Sequence, residues 1–142
     1  MRVWIGTSGW VYRHWKGIFY PRDLPAARQL SFYAEHFPTV EINYSFYRLP
    51  TRENFEHWRD ETPPGFTFAV KASRFLTHVK KLKDPEEPLA NLLDRARGLG
   101  DKLGPILFQF PPNWPKDLDR LQAFLPLLPR ELRFAFEFRN QT

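Results

Sequence analysis

The 142-residue chain contains no cysteine. This absence excludes a disulfide framework, a thiol nucleophile, a thiolate zinc site and an iron–sulfur cluster. Any metal would have to be bound by histidine and carboxylate side chains, but the four histidines show neither H-x-H nor H-E-x-x-H spacing. We therefore assign no metal ligands from the sequence and leave the cofactor unknown.

Long apolar runs and the common phosphate-binding and nucleophile motifs are also missing. No stretch approaches the roughly 18 apolar residues of a membrane span, and the N-terminal sequence lacks the plan of a signal peptide. We therefore expect a soluble, cytoplasmic protein with no membrane partner. The chain carries no P-loop, G-x-G-x-x-G or G-x-S-x-G motif, so a nucleophilic Ser8 would lack its usual setting.

What the chain does contain is typical of one globular domain. Hydrophobic residues make up 42% of the sequence and charged residues 26%, which provides enough apolar surface for a core and excludes the disordered classes. A complete eight-unit (β/α) barrel typically needs about 250 residues, however, which is far more than this chain supplies.

Basic residues outnumber acidic ones and concentrate in one segment. The 21 Lys and Arg residues against 16 Asp and Glu residues give a net charge of +5, which favours an anionic small molecule or nucleic acid as partner. Residues 71–83, called the basic segment below, contain no carboxylate and carry Lys71, Arg74, His78, Lys80, Lys81 and Lys83. Such a run is more often a solvated loop than an anion site, and the sequence fits both interpretations.

Strand-like and helix-like segments alternate along the chain. Apolar residues follow helical spacing in residues 30–37, 55–58, 89–99 and 118–125, with Thr51 and Asp117 as N-caps of the second and fourth helices. Strands are predicted at residues 3–6, 39–43, 66–71, 105–110 and 133–138. Parallel strands need such helical crossovers, so the pattern predicts an α/β fold with a parallel sheet.

Alternation within the strands favours a barrel over an open, doubly wound sheet. In the last strand Phe134 and Phe136 share one face, whereas Glu137 lies on the other. The strands of an open parallel sheet are covered on both faces and would be almost continuously apolar. One apolar face and one face that becomes polar toward the strand ends instead predict a TIM-type (β/α) barrel with a functional mouth.

The polar residues of that second face form the predicted site, at the carboxyl edge of the sheet. They are Glu41, Asn43, Lys71, Gln109, Glu137 and Arg139. They form either an ion-pair network or a functional site, and their place at the carboxyl edge favours function. The predicted catalytic residues are Glu41 and Glu137, as general acid and base, and Lys71, as a Schiff-base nucleophile or an electrostatic clamp.

Other side chains are predicted to hold the ligand. Arg139 suits bidentate binding of phosphate or carboxylate. The loop after the first strand interleaves aromatic and basic residues, so Trp10 either stacks on a base or sugar or forms a hydrophobic lid. The predicted ligand-binding residues are Ser8, Trp10, Asn43, Arg74, His78, Gln109 and Arg139.

Several segments together resemble one protein family. They are Ile5-Gly6-Thr7-Ser8-Gly9-Trp10, Thr39-Val40-Glu41-Ile42-Asn43, Phe46-Tyr47-Arg48, Phe68-Ala69-Val70-Lys71, Lys102-Leu103-Gly104-Pro105-Ile106-Leu107-Phe108-Gln109-Phe110 and Ala135-Phe136-Glu137-Phe138-Arg139. In this order, across essentially the whole chain, they are similar to the YecE-like domain-of-unknown-function family. The resemblance implies a TIM-type barrel without an established reaction. It also implies that the family's signature positions are Glu41, Asn43, Lys71, His78, Gln109, Glu137 and Arg139.

The same resemblance implies an incomplete domain, because the family continues past residue 142. Residues 1–142 are then the N-terminal part of a single YecE-like TIM-barrel domain, with four βα units and a fifth strand. Such a truncated barrel exposes strand edges and an inner face, so we expect it to aggregate or to self-associate with a second copy.

Three functions fit these observations. The first is an enzyme or binding site for a phosphate-bearing or nucleotide-like ligand at the barrel mouth. The second is a non-catalytic nucleic-acid binding protein, and the third is a carbohydrate-active barrel with Glu41 and Glu137 as paired carboxylates. We favour the first, because charges that face an enclosed axis suit a small ligand better than a duplex. Whether the protein is an enzyme is left open.

Overall fold

A computed structural model describes residues 3–142 and contains one sheet of five parallel strands, which lie side by side in chain order. The strands are β1 (Gly6–Ser8), β2 (Thr39–Ile42), β3 (Thr67–Lys71), β4 (Leu103–Gln109) and β5 (Phe134–Glu137). The predicted α/β class with a parallel sheet is therefore confirmed.

The first strand differs from its prediction. It begins at Gly6, whereas the apolar residues Val3 and Ile5, which suggested a strand at 3–6, are 66% and 69% exposed. Gly6 pairs with Thr39 of β2, and a Cβ atom on Gly6 would lie only 2.0 Å from the Thr39 carbonyl oxygen. The start of β1 thus coincides with a close backbone approach that only glycine permits. The apolar residues before Gly6 do not mark it.

The sheet is open within residues 3–142, since β1 and β5 form its two edges and do not pair with each other. Five strands are too few to close a barrel of the TIM type, which has eight. The TIM-type barrel therefore stays a prediction.

Helices connect the strands. They are α1 (Gln29–His36), α2 (Tyr44–Tyr47), α3 (Arg52–Asp60), α4 (Glu86–Ala96) and α5 (Leu118–Phe124). Both predicted N-caps are confirmed: the Thr51 side chain accepts from the backbone N–H of Asn54 at 3.3 Å, and Asp117 accepts from that of Arg120 at 3.0 Å. No helix in the described part of the chain is long and apolar enough to cross a membrane.

The last helix buries Phe124 most deeply, and of the leucines predicted for its buried side only Leu121 packs against the core. Leu118 and Leu125 are 50% and 44% exposed, whereas Phe124 is 1% exposed and packs against Phe108 of β4 at 5.2 Å between ring centroids. The large ring covers the sheet in their place, because an aromatic side chain buries more apolar area than a leucine.

The two faces of the sheet differ as the alternation predicts. The residues on one face are at most 1% exposed and join the core with the helices: Val40, Ile42, Phe68, Val70, Ile106 and Phe108. The alternate residues on the other face are partly exposed: Glu41, Ala69, Lys71, Leu107, Gln109 and Glu137. The polar face is therefore accessible, and it carries the candidate site.

Candidate functional site

Glu41, Lys71, Gln109 and Glu137 share the polar face of the sheet, close to the carboxyl ends of their strands. The register confirms this, since Lys71 of β3 pairs with Leu107 of β4, and Gln109 pairs with Glu137 of β5. These residues contact different neighbours, however, and form three groups along the edge.

The first group lies at β4 and β5. The Gln109 side-chain amide donates to Glu137 Oε2 at 2.9 Å, and Arg139 Nε lies 3.8 Å from Glu137 Oε1. The side chains of Arg139 and Glu137 are 47% and 44% exposed, so the pair is well solvated and contributes little to stability. A hydrogen bond from one side and a guanidinium on the other orient the Glu137 carboxylate without occupying all its lone pairs.

The second group lies at the opposite edge of the sheet. The Ser8 hydroxyl donates to Glu41 Oε1 at 2.9 Å, because Ser8 and Glu41 pair directly across β1 and β2. The Tyr12 hydroxyl in turn donates to the Ser8 carbonyl oxygen. Glu41 and Glu137 are three strand spacings apart, which corresponds to roughly 14 Å along the sheet.

The third group surrounds Phe46, a residue missed by the sequence reasoning about the site. Lys71 Nζ lies 4.6 Å from the centroid of the Phe46 ring, and the His78 ring meets the same phenylalanine edge-on at 5.0 Å. The Phe46 ring therefore holds a lysine and a histidine from two different elements. The signal for it was present, since Phe46 belongs to a motif that follows the second strand.

Burial and positive charge both act on the imidazole of His78. Burial lowers the pKa of the His78 imidazole from its ordinary value of 6.5, and four cationic side chains lower that pKa further: Arg74, Lys71, Arg139 and Lys81. This environment therefore favours the neutral form of the imidazole. Its Nδ1 lies 2.8 Å from the hydroxyl of Thr77, so a hydrogen bond between the two residues holds the ring.

The basic segment has unusual backbone geometry that its residue types do not predict. Residues Phe75–Val79 form one turn of π-helix, closed by a hydrogen bond from the Lys80 N–H to the Phe75 carbonyl at 2.8 Å. Lys81, Leu82 and Asp84 then adopt left-handed φ angles of 49°, 62° and 43°. Such conformations cost non-glycine residues about 1 kcal/mol or more each and concentrate at functional sites, as π-turns do.

Trp10 and Asn43 lie in a separate cavity of about 670 Å³ between the β1–α1 loop, α2 and α3. The ring of Trp10 meets the ring of Trp58 at 5.3 Å and 83°. The Asn43 side chain makes no hydrogen bond to any residue in 3–142. We call this cavity the aromatic cleft; it is lined by Trp10, Tyr12, Asn43, Tyr44, Tyr47 and Trp58.

The histidines and carboxylates of the described residues do not cluster in threes. Within residues 3–142 no three His, Asp or Glu side chains come together in a way that would hold a metal ion. The carboxyl edge instead presents cations and two separate carboxylates, so its chemistry is suited to anion binding and proton transfer.

The chain is similar to known proteins over almost its full length. A family model described as a protein of unknown function, DUF72, matches residues 4–142. The UPF0759 protein YunF of Bacillus subtilis is 31% identical over 99% of this chain and 51% of its own length, and YecE of Escherichia coli K12 is 29% identical over 97% and 48%. The chain therefore spans about half the length of these curated relatives.

Solved structures show the same similarity. A DUF72 family protein from Thermotoga maritima, 32% identical, superposes with a TM-score of 0.78 over 94% of this chain and 55% of its own. A DUF72 family protein from Enterococcus faecalis, 23% identical, shares the fold with a TM-score of 0.73 over 93% and 48%. The sequence resemblance is thereby confirmed, and the chain belongs to the DUF72 family of proteins of unknown function.

Proposed function

We propose that the carboxyl edge of the sheet binds a small, phosphate-bearing anion and presents it to Glu137. The observation that carries the proposal is that Lys71 and His78 meet on the ring of Phe46, at 4.6 and 5.0 Å, in a segment that contains no carboxylate. Positive charge gathered without a carboxylate of its own segment is unfavourable unless an anion or solvent screens it. The left-handed backbone at 81–84 supports the proposal, because it is the kind of strain that functional sites retain.

The side chains have distinct proposed roles. The Arg139 guanidinium and the Lys71 ammonium bind phosphate oxygens, the former with two parallel hydrogen bonds. Glu137, oriented by Gln109, accepts a proton from the bound ligand. Glu41 lies beside β1 and accepts a hydrogen bond from the Ser8 hydroxyl, so we assign it to ligand binding.

We also propose that these residues line the mouth of a TIM-type barrel of which 1–142 is the N-terminal part. The strand order supports this, since strands that follow one another in space as in sequence are typical of barrels, whereas doubly wound sheets reverse direction from a central strand. The one-sided burial of the sheet supports it as well. Self-association through the open edges β1 and β5 remains a prediction for the isolated chain.

The two alternative functions have less support. A glycosidase needs two carboxylates roughly 5 to 10 Å apart, whereas Glu41 and Glu137 are held by different neighbours, Ser8 and Gln109, in separate groups along the edge. A nucleic-acid surface would spread its cations along a groove, whereas Lys71 and His78 here meet on the single ring of Phe46.

Titration with inorganic pyrophosphate at low salt, followed by calorimetry, tests the proposal. We expect Arg139→Gln and Arg74→Gln each to weaken binding about tenfold, whereas Arg130→Gln, an exposed arginine outside the site, leaves the affinity unchanged. Glu137→Gln is expected to strengthen binding, because it removes the carboxylate that lies beside Arg139.

Three results would contradict the proposal. They are absence of pyrophosphate binding, equal affinities in the three arginine variants, and tighter, steeply salt-dependent binding of a short single-stranded oligonucleotide. The last result would favour the nucleic-acid function.

A further inference from the structure

We propose that the aromatic cleft is a second binding site, and that it takes a neutral sugar. Its volume of about 670 Å³ lies in the range of small-molecule pockets, roughly 300 to 1,000 Å³. The proposal goes beyond the anion site at the carboxyl edge, because it rests on a different cavity and on different side chains.

Two tyrosines at the cleft are exposed although their rings are largely apolar. Tyr44 and Tyr47 are 56% and 67% exposed. Both belong to α2, a single helical turn that is held firmly: Ser45 between them is fully buried, and its hydroxyl lies 2.5 Å from the Lys71 carbonyl oxygen and 2.9 Å from that of Ile42. The backbone that carries the two rings is therefore held in place. A ligand that covers the rings gains apolar contact, and little conformational entropy is lost when it binds.

The tryptophans form walls in perpendicular planes. The ring planes of Trp10 and Trp58 meet at 83°, and both residues are fixed from behind: the Tyr20 hydroxyl donates to the Trp10 carbonyl at 2.5 Å, and Phe55 packs edge-on against Trp58 at 5.5 Å. A flat nucleobase is best held by rings parallel to it. A chair-shaped sugar presents C–H groups in several directions and fits walls that meet at a right angle.

The polar groups of the cleft suit hydroxyls and not phosphates. No lysine or arginine lies among the described residues that line it, so a negatively charged ligand would find little compensation there. The carboxylate of Glu61 is 23% exposed and lies 3.4 Å from His57, while the Asn43 amide has no intramolecular partner in the described part of the chain. A carboxylate, an imidazole and an amide together accept and donate the hydrogen bonds that a row of sugar hydroxyls requires.

Saturation-transfer NMR and tryptophan fluorescence with cellobiose, maltose and N,N′-diacetylchitobiose as probes test the proposal, with adenosine as the competing ligand class. We expect at least one disaccharide to bind and to quench tryptophan emission. Tyr47→Ala should weaken that disaccharide about tenfold or more, and Glu61→Gln should weaken it less. Phe75→Ala, which removes another half-exposed aromatic ring outside the cleft, should leave the affinity unchanged.

The proposal would be overturned by any of three outcomes: no disaccharide binds up to about 10 mM, adenosine binds more tightly than every disaccharide, or Tyr47→Ala binds as the unmodified chain does. Thermal melts of each variant show whether the fold is retained. Pyrophosphate titration of the same samples reports on the carboxyl edge, so failure of one proposal is distinguishable from failure of the other.

Discussion

Replacement of Lys102 by methionine is expected to destabilise the protein strongly, although Lys102 lines neither proposed site. Its ammonium donates to the carbonyl oxygens of Arg59 and Thr62 at 2.6 and 2.5 Å and lies 3.1 Å from the Thr62 hydroxyl. These groups close the C-terminal end of α3, where helix carbonyls have no helical partner. Lys102 thus ties α3 to the start of β4.

The magnitude follows from those contacts. Methionine keeps the length and apolar stem of the side chain but removes every donor. Hydrogen bonds to a charged group contribute about 1.5–3 kcal/mol each, and water replaces part of them at a half-buried site, so the free energy of unfolding should fall by about 2–3 kcal/mol. For a domain of this size that loss corresponds to a melting temperature lower by about 5–10 °C.

Urea and thermal unfolding, followed by circular dichroism, measure the effect. Lys83→Met is the matched control, because Lys83 is exposed and its ammonium has no partner within residues 3–142; its effect should stay within about 0.5 kcal/mol. Equal unfolding midpoints for Lys102→Met and Lys83→Met would refute the reasoning, since the ammonium would then contribute nothing beyond its solvation.

Two further predictions concern the backbone and a buried phenol. Gly104→Ala should cost roughly 1–3 kcal/mol in urea unfolding, because a Cβ atom there would lie 2.6 Å from the Thr67 methyl and 2.8 Å from the Phe68 carbonyl oxygen; a wild-type midpoint would contradict this packing. Burial, and then Tyr33, raises the pKa of Tyr20 to about 12. The unfolded chain ionises near 10, so this contribution to stability is complete below that pH and is lost as the pH rises through about 12. Urea midpoints of the wild type should therefore fall relative to Tyr20→Phe between about pH 9 and pH 12, and parallel curves would argue against it.

Most of the fold is readable from the sequence because its signals are local. Alternation in the strands separates the faces of the sheet, and the side chains of Thr51 and Asp117 cap their helices as their residue types predict. The misplaced first strand and the exposed Leu118 have a common cause. The start of the strand and the burial of the leucine both depend on how closely a neighbouring element packs, and the apolar residues of a segment do not reveal that packing distance.

The residues on the polar face of the sheet can be predicted from the sequence, but the contacts that divide them into three groups cannot. The strand positions place Glu41, Lys71 and Glu137 on one face, yet the polar contacts of each depend on the strand beside it and on loop geometry. The left-handed turn at 81–84 could not be found by residue type, because leucine and lysine rarely adopt positive φ. Phe46 lies in a motif after the second strand, but only the structure shows that Lys71 and His78 meet on its ring. Trp10 and Asn43 were expected with the anion-binding residues and instead lie in the aromatic cleft.

The left-handed turn of the basic segment has a mechanical consequence. Leu82 is 3% exposed, and its N–H is bonded to the Leu76 carbonyl at 3.0 Å, so it acts as an anchor between two lysines. Lys81 and Lys83 therefore flank a residue that is fixed in the core, and an anion bound by them would contact a restrained segment and not a free loop. The number of residues between the π-turn and α4 is consequently constrained, and a one-residue insertion there would dislodge the anchor before it altered any charge.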